Sequence, residues 1–361
     1  MNMRAGAKWM VRFISLFILI LLVVGVLMVV VDPYFHYHKP LPGLSYTLDN
    51  QRYQNNGIVK HFDYDAIITG SSMTECFKTS ELDQLFGVNA VKVPYSGGSY
   101  KEVNDNLMVA TESNPDIKMV VRCLDGVRFF NTKDEMDYTD YPTYLYDDIW
   151  YNDVSYLYNK SILMAALQNL IGFNSDGRIE MSFDEYCNWN DDHAFGVEAV
   201  DAYYARNTVV KAQEQQAITQ QEYDTIKGNM EQNVIALAKE HPEIDFYLYI
   251  SPYSICFMDY WHLEGRLEKY FAAEKYIIEL LLPYENIHLF SFYTEYDTIC
   301  DLSNYRDVAH HNEDLNSQIL VWMKEGHGQL TEENYEAYCE EVRDFYMNFD
   351  YDSYMEQQGI D

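Results

Sequence analysis

The chain has 361 residues, 25 basic against 57 acidic side chains, and a formal net charge of −32, which excludes the basic face that ordinary nucleic-acid binding requires. Its six cysteines include no Cys-x-x-Cys unit, which excludes the common zinc and dithiol motifs. A length of this order supports a large core in one enlarged domain or in a domain with an insertion.

Taken in chain order, residues 1–12 carry Arg4, Lys8 and Arg12, and Phe13 to Val31 then runs nineteen residues without a charge. At about 1.5 Å per residue such a helix spans the hydrocarbon core of a bilayer. Basic residues on its amino-terminal flank predict a cytoplasmic amino terminus, with everything after residue 31 extracytoplasmic and the protein single-pass in the plasma membrane. A cleaved signal peptide is the rival reading, but the run meets Asp32-Pro33 with no Ala-x-Ala site. The flank supplies +3, so the rest of the chain carries −35, a charge that keeps an exported domain soluble and repels anionic polymers.

From Asp63 the pattern becomes that of an α/β domain, taken as residues 32–329. Strands are expected at Tyr64–Thr69, Ala90–Pro94 and Lys118–Leu124, with helices at Ser80–Phe86 and Ser99–Thr111 between them. This alternation implies a parallel sheet with right-handed crossovers. Residues of about 129–207 break the rhythm, being dense in Tyr, Asp, Asn and Trp, and are read as an insertion with one helix near Val154–Leu170. Helix Thr219–Lys239, strand Asp245–Ile250, the turn Ser251-Pro252-Tyr253, helix Leu263–Leu282, strand Ile287–Phe290 and helix Glu313–Met323 then complete the expected fold. Residues 330–361 form an acidic helical tail with ten carboxylates against Arg343 alone. The 33 tyrosines fit either a sugar-facing groove or ordinary amphipathic packing. Cys76, Cys123 and Cys256 lie in apolar stretches and read as small buried side chains.

Two separated stretches carry chemistry. Ile67-Ile68-Thr69-Gly70-Ser71-Ser72 reads as a strand entering a tight turn, which raises a hydroxyl at the carboxyl end of the sheet, where open α/β folds bind ligands. Asp307-Val308-Ala309-His310 sets a carboxylate three residues before an imidazole, so that the acid can fix the ring's tautomer while the free nitrogen faces a nucleophile. The nucleophile is taken as Ser72, with Ser71 the alternative in a register shifted by one, and the base as His310, with His311 the alternative. Ser96-Gly97-Gly98-Ser99 follows the second strand and exposes amides for an oxyanion hole, where the Ser72 and Gly97 amides would act. Gly-Ser turns and surface Asp-His pairs also occur as plain structure. The run Asp191-Asp192-His193 and the pair His36 and His38 have no ligand partners that would make a metal site.

Gly70-Ser71-Ser72, then Ser96-Gly97-Gly98, then Asp307-x-x-His310 resemble the first, second and fifth blocks of the SGNH (GDSL-like) hydrolase superfamily. The similarity is nearest to its membrane-anchored bacterial branch, which includes the lipoteichoic-acid alanylation protein DltD and alginate O-acetylation proteins. Asp32-Pro33, Arg52-Tyr53-Gln54-Asn55 and Pro252-Tyr253-Ser254 fit that type, and the resemblance covers residues 32–325. It implies a three-layer, flavodoxin-like parallel sheet, Ser72 as nucleophile, His310 as general base, Asp307 as its orienting acid and Gly97 as second oxyanion donor, with no cofactor and no metal. The family's third donor is an asparagine after the third strand; here Cys123-Leu124-Asp125-Gly126 stands there, and an ionised Asp125 only accepts. Either another amide donor such as Asn104 replaces it, or catalysis is weaker, or the site binds without reacting.

Two functions follow from the resemblance. One is an anchored extracytoplasmic serine esterase or acyltransferase that acts on O-acyl groups of a cell-envelope glycan through an acyl-serine, beside a multi-pass membrane acyltransferase. The other is a non-catalytic envelope assembly protein that keeps the fold to bind glycan or such a partner. The substrate-binding residues stay open.

Overall fold

Strands covered on both faces have no solvent side, so they are apolar almost throughout. The computed structural model describes residues 3–136, 138, 141–147, 149–174 and 177–360. Met1 and Asn2 of the basic flank and Asp361 of the acidic tail lie outside the described residues. It divides into two units, residues 63–139 with 183–361 and residues 1–62 with 140–182.

In the larger unit, β1 (Ala66–Gly70), β2 (Ala90–Pro94) and β3 (Met119–Leu124) are buried at every residue. Together with β6 (Asp245–Ile250), β7 (Ile287–Ser291) and β8 (Gln329–Leu330) they form one sheet in the order β2-β1-β3-β6-β7-β8. Every pairing is parallel except β7 with β8, so the expected parallel sheet is instead mixed at one edge. Gly328 explains the reversal: its φ is +72° and a Cβ there would meet the Ser291 carbonyl at 2.7 Å, so only glycine lets residue 328 approach β7.

β1 leads to β2 on one side and β2 leads to β3 on the other, so right-handed crossovers place the intervening helices on opposite faces. The first, α3 (Thr79–Phe86), packs on α13 (Glu313–Glu325). The second, α4 (Tyr100–Ser113), packs on the π turn Glu231–Ile235 that joins α8 (Gln220–Met230) to α9 (Ala236–Glu240). On the same side α8 meets α11 (Leu267–Leu281), and α11 meets α14 (Tyr335–Asn348). Short helices α7 (Val197–Tyr203), α10 (Ile255–Leu263) and α12 (Tyr296–Ile299) lie in the connections, and α15 (Tyr351–Gln358) follows α14. The acidic tail is docked by aromatic side chains: the buried Tyr338 donates to Glu274 Oε1 at 2.7 Å and the buried Tyr346 to the Tyr293 carbonyl at 2.8 Å.

The smaller unit begins with α1 (Met3–Val31), among the described residues the one helix long and apolar enough to cross a membrane. Asp32, with φ +45°, ends it. Its buried carboxylate accepts the amides of His36, Tyr37 and His38 at 3.0, 2.7 and 2.9 Å and the Tyr156 hydroxyl at 2.7 Å. Burial raises the Asp32 carboxyl above the usual range against the pull of those hydrogen bonds. His36 meets Asp153 at 3.3 Å, and the His38 ring bonds the carbonyls of Lys39 and Val29, so both histidines are tied into this turn. The residues Arg52 to Asn55 fall in α2 (Gln51–His61). The helix expected over 154–170 is two, α5 (Val154–Leu157) and α6 (Lys160–Ile171), because the Asn159 side chain caps α6 by accepting from the Ser161 and Ile162 amides at 2.8 and 3.3 Å. A two-residue hairpin, β4 (Phe173–Asn174) with β5 (Gly177–Arg178), follows. Met28 and Val31 of α1 share a core with Leu145, Tyr156, Ile162 and Ala166.

Candidate active site

The site lies at the carboxyl end of β1. Gly70 closes the strand with φ +149°, and a Cβ on it would stand 2.8 Å from both Cys123 Cβ and Thr74 Cγ2. A side chain there would collide with β3, so glycine is needed for the chain to turn. Ser71 is buried and donates to Asp125 Oδ2 at 2.7 Å. Ser72 begins a single 3-10 turn (Ser72–Thr74), is only half-buried, and its Oγ lies 2.8 Å from His310 Nε2. The two residues stand 238 apart in sequence.

The Asp307–His310 loop is a small hairpin closed by the Tyr305–His311 bridge and by the Arg306 amide donating to the His310 carbonyl at 3.0 Å. A second segment clamps it: the Ser254 amide and hydroxyl both donate to the Val308 carbonyl, at 3.2 and 2.7 Å, and Tyr305 donates to the Pro252 carbonyl at 3.0 Å. Asp307 Oδ1 accepts the amides of Ala309 and His310 at 2.9 and 2.8 Å, while Oδ2 lies 2.8 Å from His310 Nδ1 and 3.2 Å from Arg306 Nε. Burial alone would raise this carboxyl; the His310 hydrogen bond and charge, with the two amides, outweigh it and hold Asp307 well below the usual carboxylate range. An ionised Asp307 only accepts, so Nδ1 carries the proton and the Nε2 lone pair faces Ser72. Trp189 sets its ring edge-on to His310, centroids 5.7 Å apart, and the Arg306 guanidinium lies 4.5 Å from the Trp189 ring centre.

His311 faces the other way. It is buried, bonds the Asn312 carbonyl at 3.3 Å, and burial pushes it down to about 4, so it is a neutral core residue and His310 is the imidazole at Ser72.

The glycine loop follows β2, whose last residue Pro94 pairs with Gly70. Gly98 donates to the Tyr95 carbonyl at 2.7 Å, and a Cβ on it would lie 2.6 Å from Tyr95 Cβ. Gly97 has φ +62° and its carbonyl accepts from Arg128 Nη2 at 2.9 Å. Among the described residues the amides of Ser72 and Gly97 donate no intramolecular hydrogen bond. Asp125 does not donate to the site. Its carboxylate accepts from Ser71 and, through Oδ1, from the Tyr253 hydroxyl, and its carbonyl accepts from Tyr100 at 3.1 Å. Asn104 sits within α4 with a buried side-chain oxygen that has no partner, and among the described residues no hydrogen bond joins it to Ser72, Gly97 or His310. The Asp191-Asp192-His193 run is an exposed turn, and among the described residues no group of three His, Cys, Asp or Glu side chains is placed to hold a metal.

Sequence reasoning missed Trp189, Arg306, Ser254 and the Tyr253 hydroxyl as parts of the site. The Pro252-Tyr253-Ser254 turn was the available signal for two of them; for Trp189 no spacing rule points across the intervening residues to His310.

No family model matches the chain, and no curated protein matches it. Among solved structures it is similar to a chain from Streptococcus pneumonia provisionally described as a platelet activating factor, at 11% identity over 76% of this chain and 88% of that one. The TM-score of 0.33 marks a likeness too distant to carry an argument about activity.

Proposed function

We infer that this chain is a serine O-acyl esterase or acyltransferase of SGNH type. The observation that carries the reading is the line Ser72 Oγ, His310 Nε2, His310 Nδ1, Asp307 Oδ2, with both contacts at 2.8 Å. Ser72 attacks an acyl carbonyl while His310 takes its proton; the oxyanion is met by the Ser72 and Gly97 amides. His310 then protonates the departing alkoxide, leaving an acyl-Ser72. Water or a sugar hydroxyl gives a proton to His310 as it attacks the acyl carbon; the acyl–Oγ bond then breaks, and His310 returns the proton to Ser72 Oγ, restoring the serine. With the small hairpin and the antiparallel edge strand β8 left out, the five parallel strands read 2-1-3-4-5, the order of flavodoxin-like doubly wound sheets, which supports the SGNH assignment.

The length and composition of α1, with Lys8 and Arg12 at its start, support a single-pass plasma-membrane anchor that leaves residues 32–361 extracytoplasmic. A cell-envelope glycan as acyl carrier, and a multi-pass membrane acyltransferase as partner, rest on the resemblance of the serine, glycine and Asp-x-x-His blocks. One observation favours a non-catalytic assembly role instead: Asp125 occupies the third-donor position as an acceptor.

The deciding experiment is fluorophosphonate labelling of the full chain in detergent, with hydrolysis of an acetyl ester measured alongside. Wild type and Ser71→Ala are expected to label, and Ser72→Ala and His310→Ala to lose the label. A wild type that neither labels nor hydrolyses would overturn the esterase reading in favour of the assembly role.

A further inference from the structure

We propose that residues 149–173 form a second membrane element, lying in the acyl-headgroup boundary of the leaflet that holds the carboxyl-terminal end of α1, with bilayer lipid as its occupant. The proposal rests on the reading of α1 as a membrane span. Both segments belong to the smaller unit, and the contacts between them set their relative depth. Ile162 and Ala166 of α6 pack on Met28 and Val31, the last turns of α1. Tyr158, between α5 and α6, reaches further along: its hydroxyl donates to the Leu21 carbonyl at 3.2 Å and lies 3.2 Å from where a Gly25 Cβ would be. Leu21 is about 15 Å along the axis from Val31 at 1.5 Å per residue. A bilayer that encloses Phe13 to Val31, with a core about 30 Å thick, therefore has the α6 contacts with Met28 and Val31 at its outer rim and the Tyr158 hydroxyl about 15 Å in, near the midplane.

The surface that α6 turns away from α1 is apolar except for exposed Lys160, four residues before Met164 at the start of the helix, where a long side chain can carry its charge out to the headgroups. Met164, Leu167, Leu170 and Ile171 are exposed, Ile171 at 69%, and so are Trp150 at 81% and Tyr151 on the preceding turn. Met164, Leu167 and Ile171 follow the three- and four-residue spacing of one helix face, whereas Ser161 and Gln168 flank it. At twelve residues α6 is too short to span, and an amphipathic helix of this kind buries its face to about 5–10 Å at the interface. Trp and Tyr are the side chains favoured there. Val26, Val29 and Val30, on the turns of α1 that also carry Met28 and Val31, are exposed too, so the turns of the span that share a core with α6 also present an apolar outer surface. That adjacency to the span is the ground for taking lipid as the occupant.

The test uses the full chain in phosphatidylcholine vesicles containing a phosphatidylcholine with a diazirine on its acyl chain, followed by photolysis and peptide mapping. Lipid adducts are expected on residues 13–31 and also on 149–173. Replacing Leu167 and Ile171 by Lys should abolish adducts on the second segment and leave the first unchanged. Adducts on 13–31 with none on 149–173 would overturn the proposal while the anchor stands. Absence from both would remove the anchor reading and the proposal together. Crosslinks between two copies through 149–173, in place of lipid adducts, would also overturn it.

Discussion

Replacing Asp307 by Asn tests the proton arrangement more sharply than deleting it. Oδ1 accepts two backbone amides, at 2.9 and 2.8 Å, so the asparagine must keep its carbonyl oxygen there and place its NH2 where Oδ2 now faces His310 Nδ1 at 2.8 Å. A donor at that position, 2.8 Å from Nδ1 against 3.0 Å for the retained oxygen, favours Nδ1 as an acceptor, which moves the ring proton to Nε2 and points it at Ser72. His310 can then no longer receive the serine proton. The same carboxylate-to-amide exchange in a Ser-His-Asp protease costs about 10⁴ in kcat, or about 5 kcal/mol of barrier at 1.36 kcal/mol per factor of ten. Packing and backbone hydrogen bonds are retained, but the ionised Asp307 stabilises the fold above its depressed pKa through His310 and Arg306, so the unfolding midpoint should fall as well, and the unfolding control separates that loss from the loss of activity. The assay is single-turnover acetylation of Ser72 by an activated acetyl ester, with denaturant unfolding as control. A variant that keeps a tenth or more of the wild-type rate would refute the assigned tautomer and with it the role of Asp307.

Three further outcomes are expected. Glu274 is fully enclosed, and burial pushes its carboxyl up to about 7 against hydrogen bonds from Tyr338 and Ser291; its folded pKa is raised, so the stability it contributes is present below about 4.5 and is lost as pH rises through about 7, amounting to about 3 kcal/mol. Glu274→Gln should therefore match wild type at about pH 4 and exceed it by up to that amount at about pH 8, and a pH-independent difference in denaturant unfolding would contradict this. Gly70→Ala places a methyl 2.8 Å from Cys123 Cβ and Thr74 Cγ2 at φ +149°, so a loss of about 3 kcal/mol with loss of fluorophosphonate labelling is expected; an unchanged unfolding midpoint would argue against the strain. Tyr253→Phe removes a donor from buried Asp125 and should lower stability by about 1–3 kcal/mol, measured by urea unfolding, whereas no change would mean the bond is not formed in solution.

The sheet was legible because burial on both faces leaves near-continuous apolar runs, and charged residues inside those runs did not hide them. Lys92 in β2 and Arg122 in β3 are both buried. Lys92 Nζ reaches the carbonyls of Glu75, Phe77 and Asp184, and Arg122 those of Asn233 and Tyr100; those partners lie far off in sequence and could not be read from it. β8 escaped notice because two residues have no periodicity and their pairing depends on Gly328. The helix expected from Leu263 to Leu282 is broken at Gly265, whose φ is +69° and whose Cβ would meet the Glu214 carbonyl at 2.5 Å, so Leu263 closes α10 and Leu267 opens α11. In the site, Ser72, Asp307 and His310 stood out by local spacing: a serine after a strand and a glycine, and an acid three residues before an imidazole. Trp189 and Arg306 act through contacts made only once the loops meet, and nothing local marks them, whereas Ser254 was signalled by the Pro252-Tyr253-Ser254 turn without the contact it makes.

Asp125 is where the resemblance and the structure diverge in substance. Its carboxylate accepts from Ser71, which precedes Ser72, and from Tyr253, which precedes Ser254, and Ser254 holds the Val308 carbonyl inside the Asp307–His310 loop. Side-chain and backbone links thus join the nucleophile's turn to the acid-base loop through one buried carboxylate, a frame that an asparagine donating into the oxyanion hole could not provide with the same group. Rigid placement of Ser72 against His310 is what proximity catalysis requires. The oxyanion then depends on the Ser72 and Gly97 amides. One oxyanion donor contributes about 10²–10³ in kcat, and its loss slows acylation and deacylation alike, because water and a sugar hydroxyl attack through the same oxyanion; within the esterase reading Asp125 therefore bears on the rate of the reaction and not on the choice of acceptor.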